Sequence, residues 1–248
     1  MPTKSSTKRF SDRVEDYIKY RPGYPTQVIE ILKNDFLQDE SVIADIGSGT
    51  GISSKIFIDN GNKVYAVEPN KEMREAGETF FTGNRNFISV NGTAEETNLP
   101  GKSVDVIFSG QAFHWFNKSL AKKEFHRILK NDGHVVLAWN ERDESDNFQK
   151  EYERILLQIP EYHKVNHKNI TDKEIGEFLE PKKMHKEIVR NLQIFNFEGL
   201  QGRLKSSSYF PKRGRLCEDL IEQLKKLFCK YGNDGLINFL YETNIFWS

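Results

Sequence analysis

The feature that most constrains this chain is an apolar strand that leads directly into three closely spaced glycines and then into a helix. The segment reads VIADIGSGTG over residues 42–51, with Gly47, Gly49 and Gly51 as its glycines. Glycine tolerates positive φ and carries no Cβ, so such a turn lets a ligand lie against bare main chain. Open parallel sheets bind ligands at the carboxyl ends of their strands. The segment therefore predicts a nucleotide-type cradle.

Short apolar runs rich in β-branched residues then alternate with longer amphipathic stretches, which is typical of parallel strands joined by crossover helices. This pattern predicts strands over Val42–Ile46, Val64–Val67, Phe87–Val90, Val104–Phe108 and His134–Trp139, with helices over Ile52–Asn60, Lys71–Phe81 and Lys118–Lys130. Two further strands, Glu187–Phe197 and Leu236–Trp247, flank a predicted helix over Leu216–Tyr231. The predicted fold is α/β and Rossmann-like, with a seven-stranded, mostly parallel sheet and helices on both faces.

We expect one domain over residues 1–248, in four parts. Residues 1–37 predict an N-terminal lid, with a helix from Phe10, a turn at Pro22–Pro25 and a second helix ending near Phe36. Residues 40–140 form the predicted ligand-binding core. Residues 141–186 are polar and irregular, and we interpret them as a small cap insertion with helices near Phe148–Ile159 and Asp172–Glu180. Residues 187–248 would complete the sheet.

Composition narrows the classes of partner. Thirty-six Lys and Arg residues balance thirty-six Asp and Glu residues, so no overall field draws the chain toward nucleic acid or anionic membrane. No apolar run approaches the roughly 18 residues of a membrane span, and the first eight residues contain no apolar signal core. The histidines show no spacing typical of a metal site, so no metal is expected. We expect a cytoplasmic monomer or homodimer that acts on a small molecule.

A carboxylate stands at the end of the second predicted strand. Glu68 lies seventeen positions after Gly51, within VYAVEP, where it can accept hydrogen bonds from both hydroxyls of a ribose. That ribose could also belong to a nicotinamide cofactor, which leaves an NAD-dependent oxidoreductase as an alternative. A dinucleotide fingerprint needs its third glycine one position later, where this chain has Ile52. Ile52 therefore disfavours the oxidoreductase.

The glycine spacing resembles the first motif of class I S-adenosylmethionine-dependent methyltransferases with a type 11 methyltransferase domain. NGTAE over residues 91–95 and SVDVI over residues 103–107 resemble that family's adenine-binding loop and fourth strand. QAFHWF over residues 111–116 is similar to a run in the subgroup of trans-aconitate methyltransferases. The resemblance implies S-adenosylmethionine as cofactor, with contacts from Tyr20, Arg21, Asp45, Gly47, Ser48, Gly49, Gly51, Glu68, Pro69, Met73, Ala94, Glu95 and Gln111.

The QAFHWF run lies where donor and acceptor are expected to meet. Gln111 can offer amide hydrogen bonds to the amino-acid end of the cofactor, and aromatic rings exclude water and favour a sulfonium cation. We expect Trp115 and Phe116 to contact the acceptor. His114 is a candidate general base because its unperturbed pKa lies near neutrality. An ionised carboxylate acceptor would need no base.

The two ends of the chain also resemble this subgroup. Near the start, Tyr20 and Arg21 are expected to close over the cofactor, with Arg21 pairing with its carboxylate. Near the end, Arg203 and Tyr209 are expected to hold an anionic or polar acceptor. The resulting prediction is methyl transfer from S-adenosylmethionine to a small, carboxylate-bearing or polar metabolite, by in-line displacement in a dry pocket. A catalytically inactive S-adenosylmethionine-binding regulator is the alternative from another class.

Overall fold

The computed structural model of the chain describes residues 19–164 and 170–248. Within these residues a seven-stranded sheet runs in the order β3-β2-β1-β4-β5-β7-β6. Only β7 is antiparallel to its neighbours β5 and β6, and the other pairings are parallel. The strands are β1 (Val42–Ile46), β2 (Lys63–Val67), β3 (Phe87–Val90), β4 (Val104–Gly110), β5 (Leu129–Arg142), β6 (His185–Phe195) and β7 (Ile237–Trp247). The predicted α/β, Rossmann-like sheet is confirmed.

Eight α-helices are described in these two ranges. They are α1 (Gln27–Asp35), α2 (Ser54–Asp59), α3 (Lys71–Phe80), α4 (Lys118–Ile128), α5 (Asn147–Leu156), α6 (Asp172–Leu179), α7 (Phe197–Lys205) and α8 (Arg215–Tyr231). Side-chain caps begin several of them: the Asn70 carboxamide oxygen accepts from the Met73 N–H at 2.9 Å, and that of Asn196 accepts from the Gly199 N–H at 2.8 Å. Such caps satisfy N–H groups that a helix leaves unpaired in its first turn.

The strands alternate their side chains between two buried faces. On β5, Leu137 and Trp139 join a cluster with residues of α4 and α6, whereas Val136 and Ala138 join a cluster with residues of α1 and α2. A third cluster lies on the face of β7 that carries Phe239 and Tyr241, where residues of α5, α7 and α8 pack around these two side chains. Helices therefore cover both faces of the central strands, whereas the edge strand β6 stays largely exposed.

The segment expected to form one cap divides between the two faces of the sheet. Tyr152 of α5 packs with Phe239 on one face, at 4.9 Å between ring centroids. Phe178 of α6 packs with Phe113 on the other face, at 4.7 Å. The prediction of a single insertion over the site missed this division, because residue order does not show on which face each helix packs.

Two further differences concern the ends of the chain. Helix α7 was not predicted, and the chain turns from β6 into it at Asn196. The predicted first helix, from Phe10, lies for the most part outside the described residues.

In the ranges that the structure describes, no helix combines the length and apolarity that crossing a bilayer would need.

Candidate active site

The turn after β1 is built from glycines in left-handed conformations. Their φ angles are +71° at Gly47, +57° at Gly49 and +83° at Gly51. A Cβ at Gly49 would meet nothing closer than the Met73 Cε at 3.6 Å, whereas one at Gly51 would lie 2.6 Å from the ring of Phe81. Gly49 is partly exposed and Gly51 is buried. A ligand can therefore approach the main chain at Gly49. At Gly51 the missing side chain makes room for the ring of Phe81.

Alanine substitutions should separate these two roles. We expect Gly51→Ala to lower the free energy of unfolding by about 2–5 kcal/mol, because a left-handed alanine costs about 1–2 kcal/mol and an overpacked contact about 1–3 more. Gly61 is the matched control, since its φ is +96° and no atom lies within 4 Å of a Cβ there. Gly61→Ala should therefore show the conformational cost alone. Urea unfolding measures both, and equal losses would contradict the packing role of Gly51.

Glu68 follows β2 and reaches the glycine turn. One carboxylate oxygen, Oε2, accepts from the Gly49 N–H at 3.0 Å, and the other, Oε1, accepts from the Asn70 N–H at 2.8 Å. Burial raises the pKa of Glu68, while these two N–H groups and the charge of Arg74 oppose that rise. Arg74 also donates to the Glu68 carbonyl at 3.0 Å and to the Pro69 carbonyl at 3.1 Å. The structure thus brings the glycine turn and the acid of the next strand together.

Asp45 lies behind the turn, fully buried. Its Oδ2 accepts from the hydroxyls of Ser53 and Ser54, both at 2.7 Å, so it joins the end of β1 to the start of α2. Its Oδ1 has no hydrogen-bond partner among the described residues. Burial raises the pKa of Asp45 to about 6, the two serine hydroxyls lower it, and the nearby charge of Glu68 raises it further. Asp45 was predicted to contact a cofactor, and the contacts seen here position the turn.

This raised pKa predicts a pH-dependent stability. Between about pH 4 and pH 6 the folded chain keeps a proton on Asp45 that the unfolded chain has released, so its contribution to stability is lost as the pH rises. Asp45→Asn removes that titration. The free energy of unfolding of the variant, minus that of the wild type, should rise by on the order of 2–3 kcal/mol from pH 4 to pH 7.

Urea unfolding at several pH values checks this expectation. The exposed Asp59 provides a control, because Asp59→Asn also removes one acid near α2. A difference between Asp45→Asn and the wild type that stays constant from pH 4 to pH 7 would contradict the prediction.

The turn itself and the loop after β3 form the remaining walls near Gly49. Ser48 is buried, and its N–H donates to the Val67 carbonyl at 3.2 Å. Met73 and Ala94 are also buried. The Glu95 carboxylate accepts from the Asn117 N–H at 2.7 Å, which ties this loop to the loop after β4. The structure therefore places Glu95 as a link between two loops at the same edge of the sheet.

The loop after β4 carries the QAFHWF run. Gln111 has a φ of +58°, and its side-chain amide donates to the Asn140 carbonyl at the end of β5 at 2.8 Å. Phe116 reaches the glycine turn, since its ring would lie 3.8 Å from a Cβ on Gly47. His114 lies partly buried beside Trp115, at 4.7 Å between ring centroids, and Trp115 is 42% exposed. Neighbouring residues of the run therefore have different surroundings: Phe116 lies beside the glycine turn, and Trp115 is exposed to solvent.

The opening segment docks on α7 rather than on the glycine turn. The Tyr20 ring lies against Gly202, and Arg21 donates to the Ser206 carbonyl at 3.2 Å. Tyr24 instead reaches the end of β4, where it contacts Gly110 and packs edge to face on Phe108 at 5.5 Å. Sequence reasoning did not select Tyr24, although the Pro22–Pro25 turn that carries it was visible.

Arg203 lies buried on the inner side of α7. Its Nε donates to the Tyr241 hydroxyl at 2.9 Å and its Nη1 to the Ser207 hydroxyl at 3.3 Å. Burial lowers the pKa of Arg203, but Tyr241, Tyr152 and Tyr209 raise it above its ordinary value, so the guanidinium stays charged. Within the two described ranges, no carboxylate pairs with it. A buried cation without a counter-ion is suited to an anionic ligand.

The part of the chain that carries this site is similar to known proteins. Residues 44–137 match the family model described as a methyltransferase domain. The matched residues include the glycine turn, Glu68 and the loop after β4. An uncharacterised methyltransferase-like protein of Schizosaccharomyces pombe is 34% identical over 151 residues, which are 60% of this chain and 58% of that protein. The chain thus spans less than two thirds of this relative.

Solved structures agree on the fold. A candidate methyltransferase of an antibiotic biosynthesis pathway from Anabaena variabilis has a TM-score of 0.64 at 23% identity, covering 93% of this chain and 98% of that one. Phosphoethanolamine N-methyltransferase 2 of Haemonchus contortus, solved with phosphomonomethylethanolamine and S-adenosylhomocysteine, has a TM-score of 0.58 at 15% identity and covers 98% of this chain and 58% of that one. The chain therefore shares the Rossmann-like α/β fold of these solved methyltransferase structures, and its residues 44–137 are similar to a methyltransferase domain.

Proposed function

We propose that the protein transfers a methyl group from S-adenosylmethionine to a small metabolite that bears a carboxylate or a similarly polar group. One observation carries the cofactor assignment. The Glu68 carboxylate reaches the bare main chain of Gly49, with 3.0 Å between Oε2 and the Gly49 nitrogen. A carboxylate in that place can accept from two neighbouring sugar hydroxyls while it stays anchored to the turn.

The residues present fit this cofactor. Gly47 and Gly49 are partly exposed and leave main chain open, and Glu68 would hold the ribose. The loop containing Ala94 would border the adenine, and Gln111 would stand at the methionine end. When bound, S-adenosylmethionine supplies a methyl group on a positively charged sulfur. The ring of Phe116, beside Gly47, would exclude water and favour that charge. The S-adenosylhomocysteine complex of the Haemonchus contortus enzyme supports the same choice of cofactor.

The protein's part in the transfer is to hold the acceptor in line and keep the site dry. Arg203 is the residue proposed to bind the acceptor carboxylate, assisted by Tyr209, and no carboxylate in the described part of the chain pairs with it. An ionised carboxylate is already a nucleophile, so His114 would be needed as a base only for a neutral acceptor. The resemblance of residues 111–116 to trans-aconitate methyltransferases supports a carboxylate.

Calorimetry distinguishes this proposal from its two alternatives. We expect S-adenosylmethionine and S-adenosylhomocysteine to bind and NAD not to bind. Binding of NAD alone would overturn the assignment and favour an oxidoreductase. Cofactor binding without transfer to any acceptor would favour the inactive regulator.

A metabolite-pool assay identifies the acceptor. The protein is incubated with extracted small metabolites and methyl-labelled S-adenosylmethionine, and the labelled products are separated. We expect the label in an alkali-labile product, because a methylated carboxylate is an ester that base hydrolyses. Label found only in alkali-stable amines would contradict a carboxylate acceptor.

A further inference from the structure

A second arginine lies near Arg203 and was not selected from the sequence. Arg142 ends β5, two residues beyond Asn140, whose carbonyl accepts from the Gln111 amide. Side chains two apart on a strand share a face, so the Arg142 side chain lies on the same face of β5 as that of Asn140. The side chain of Arg142 is nine-tenths buried. It therefore stands deep in the molecule, beyond the predicted methionine end of the cofactor.

Only part of the Arg142 guanidinium is satisfied. Nη2 pairs with Glu153, donates to the Tyr162 hydroxyl at 2.9 Å and donates more weakly to the Glu144 carboxylate at 3.5 Å. Nη1 is buried and has no hydrogen-bond partner among the described residues. A buried charged donor without an acceptor is costly, so native proteins rarely leave one empty.

A second donor of the same kind lies beside it. Tyr152 is 1% exposed, and its hydroxyl has no partner in the described part of the chain. The Arg142 guanidinium stacks over its ring, with 5.5 Å between Cζ and the ring centroid. Burial raises the pKa of Tyr152, so its hydroxyl stays protonated and able to donate.

These donors share one region with Arg203, which we call the arginine–tyrosine chamber. Its residues are Arg142, Tyr152, Tyr162, Arg203, Tyr209 and Tyr241. Arg142 pairs in register with Tyr241, whose hydroxyl accepts from Arg203, and both arginines act electrostatically on Tyr152. Among the described residues, Arg142 pairs with the partly buried Glu153 and the exposed Glu144, whereas no carboxylate pairs with Arg203. The chamber therefore offers two buried donors, Nη1 of Arg142 and the Tyr152 hydroxyl, that its own acceptors do not satisfy.

We propose that Arg142 and Tyr152 form an oxyanion subsite of the acceptor pocket, in which Nη1 of Arg142 and the Tyr152 hydroxyl donate to a carboxylate of the acceptor. The identity of the biological ligand of this subsite rests on the proposed function. Anion binding in the chamber requires no methyl donor and can be measured by itself. Arg142 is then a specificity-determining residue, and the acceptor bears a carboxylate that reaches beyond Arg203 or lies between the two arginines.

A purely structural role for Arg142 makes a different prediction. If Arg142 served only to pair with Glu153, removing either partner would damage the same contact and neither change would affect an anion. If Arg142 binds an anion, Glu153 competes with that anion. The two substitutions should then have opposite effects, since Glu153→Gln frees the cation and Arg142→Gln removes it.

The test measures binding of malonate to the full-length protein by calorimetry, with malonamide as the uncharged probe. We expect wild type to bind malonate and not malonamide. Arg142→Gln should weaken malonate binding roughly 10- to 100-fold and Tyr152→Phe about 3- to 10-fold, as expected for lost charge-assisted and neutral hydrogen bonds. Glu153→Gln should tighten binding, because it removes the carboxylate that competes with malonate for Arg142. Arg154→Gln changes an exposed arginine on the same helix and should leave it unaltered.

The double variant Arg142→Gln/Glu153→Gln guards against a folding defect, because it removes both charges of the pair and creates no new unpaired buried charge. We expect its free energy of unfolding in urea to equal that of the wild type. We expect its affinity for malonate to be as low as that of Arg142→Gln. Malonate binding that is absent in wild type, or unchanged by Arg142→Gln or by the double variant, would overturn the subsite. S-adenosylmethionine binding is measured on the same samples, so a failed subsite and a failed cofactor assignment give separate results.

Discussion

Glu68→Gln should weaken binding of S-adenosylmethionine by about 100- to 1000-fold, the largest effect expected from one change at the cofactor site. Two charge-assisted hydrogen bonds to a ribose contribute about 1.5–3 kcal/mol each. A glutamine amide also has one nitrogen where Glu68 has an oxygen, and that nitrogen would face the N–H of Gly49 or Asn70. Two N–H donors would then face each other. The variant would lose one hydrogen bond within the turn as well as its charge-assisted hydrogen bonds to the ribose.

Calorimetry with S-adenosylmethionine measures the loss. Glu72→Gln is the matched control, since Glu72 is an exposed acid at the start of α3. Urea unfolding of both variants shows whether the fold survives. If Glu68→Gln binds within about threefold of Glu72→Gln, Glu68 does not hold the ribose and the cofactor assignment loses its main support.

Arg203→Met should raise the KM for the acceptor about 10- to 100-fold while leaving the affinity for S-adenosylmethionine near its wild-type value. Methionine preserves much of the aliphatic stem and its packing, and removes the charge that would pair with a carboxylate. The change also leaves the Tyr241 hydroxyl without the donor at 2.9 Å. That hydroxyl still donates to the Gln193 carboxamide oxygen at 2.9 Å, so it is not stranded.

The acceptor identified in the metabolite-pool assay is the substrate for this measurement. Lys205→Met is the control, because it removes an exposed cation from the same helix. A loss of kcat with unchanged KM would contradict a binding role for Arg203. A fall in stability without any kinetic change would make Arg203 a structural residue.

Much of the candidate cofactor site could be predicted because its parts are close in sequence. The glycine turn joins β1 directly to α2, and Glu68 ends the next strand of the same βαβ unit. Parallel strands in one unit end at the same edge of the sheet, so their terminal residues converge whatever the rest of the chain does. The register of β1 with β2, from Val42 opposite Lys63 to Ile46 opposite Val67, places Glu68 beside the turn.

The acceptor side could not be predicted to the same depth. Helix α7 contains two glycines and no long apolar repeat, so its local sequence is a weak helix signal, and packing on β7 and α8 stabilises it. Tyr20 and Arg21 were predicted to contact the cofactor. In the structure they pack against α7, which is distant from them in the sequence. Arg142 gave no signal, because its partners Tyr152 and Tyr241 come from α5 and β7.

The amino-acid order alone was enough to predict the α/β sheet, the glycine turn and the acid beside it, since each depends on short-range periodicity and on the geometry of one βαβ unit. The folded chain decided which buried charges lie close together beside β7. Strand β7 inserts antiparallel between β5 and β6, and this long-range pairing brings Arg142, Tyr241 and Arg203 into one buried region. Local propensity carries no information about such pairings, because they depend on which distant surfaces bury one another.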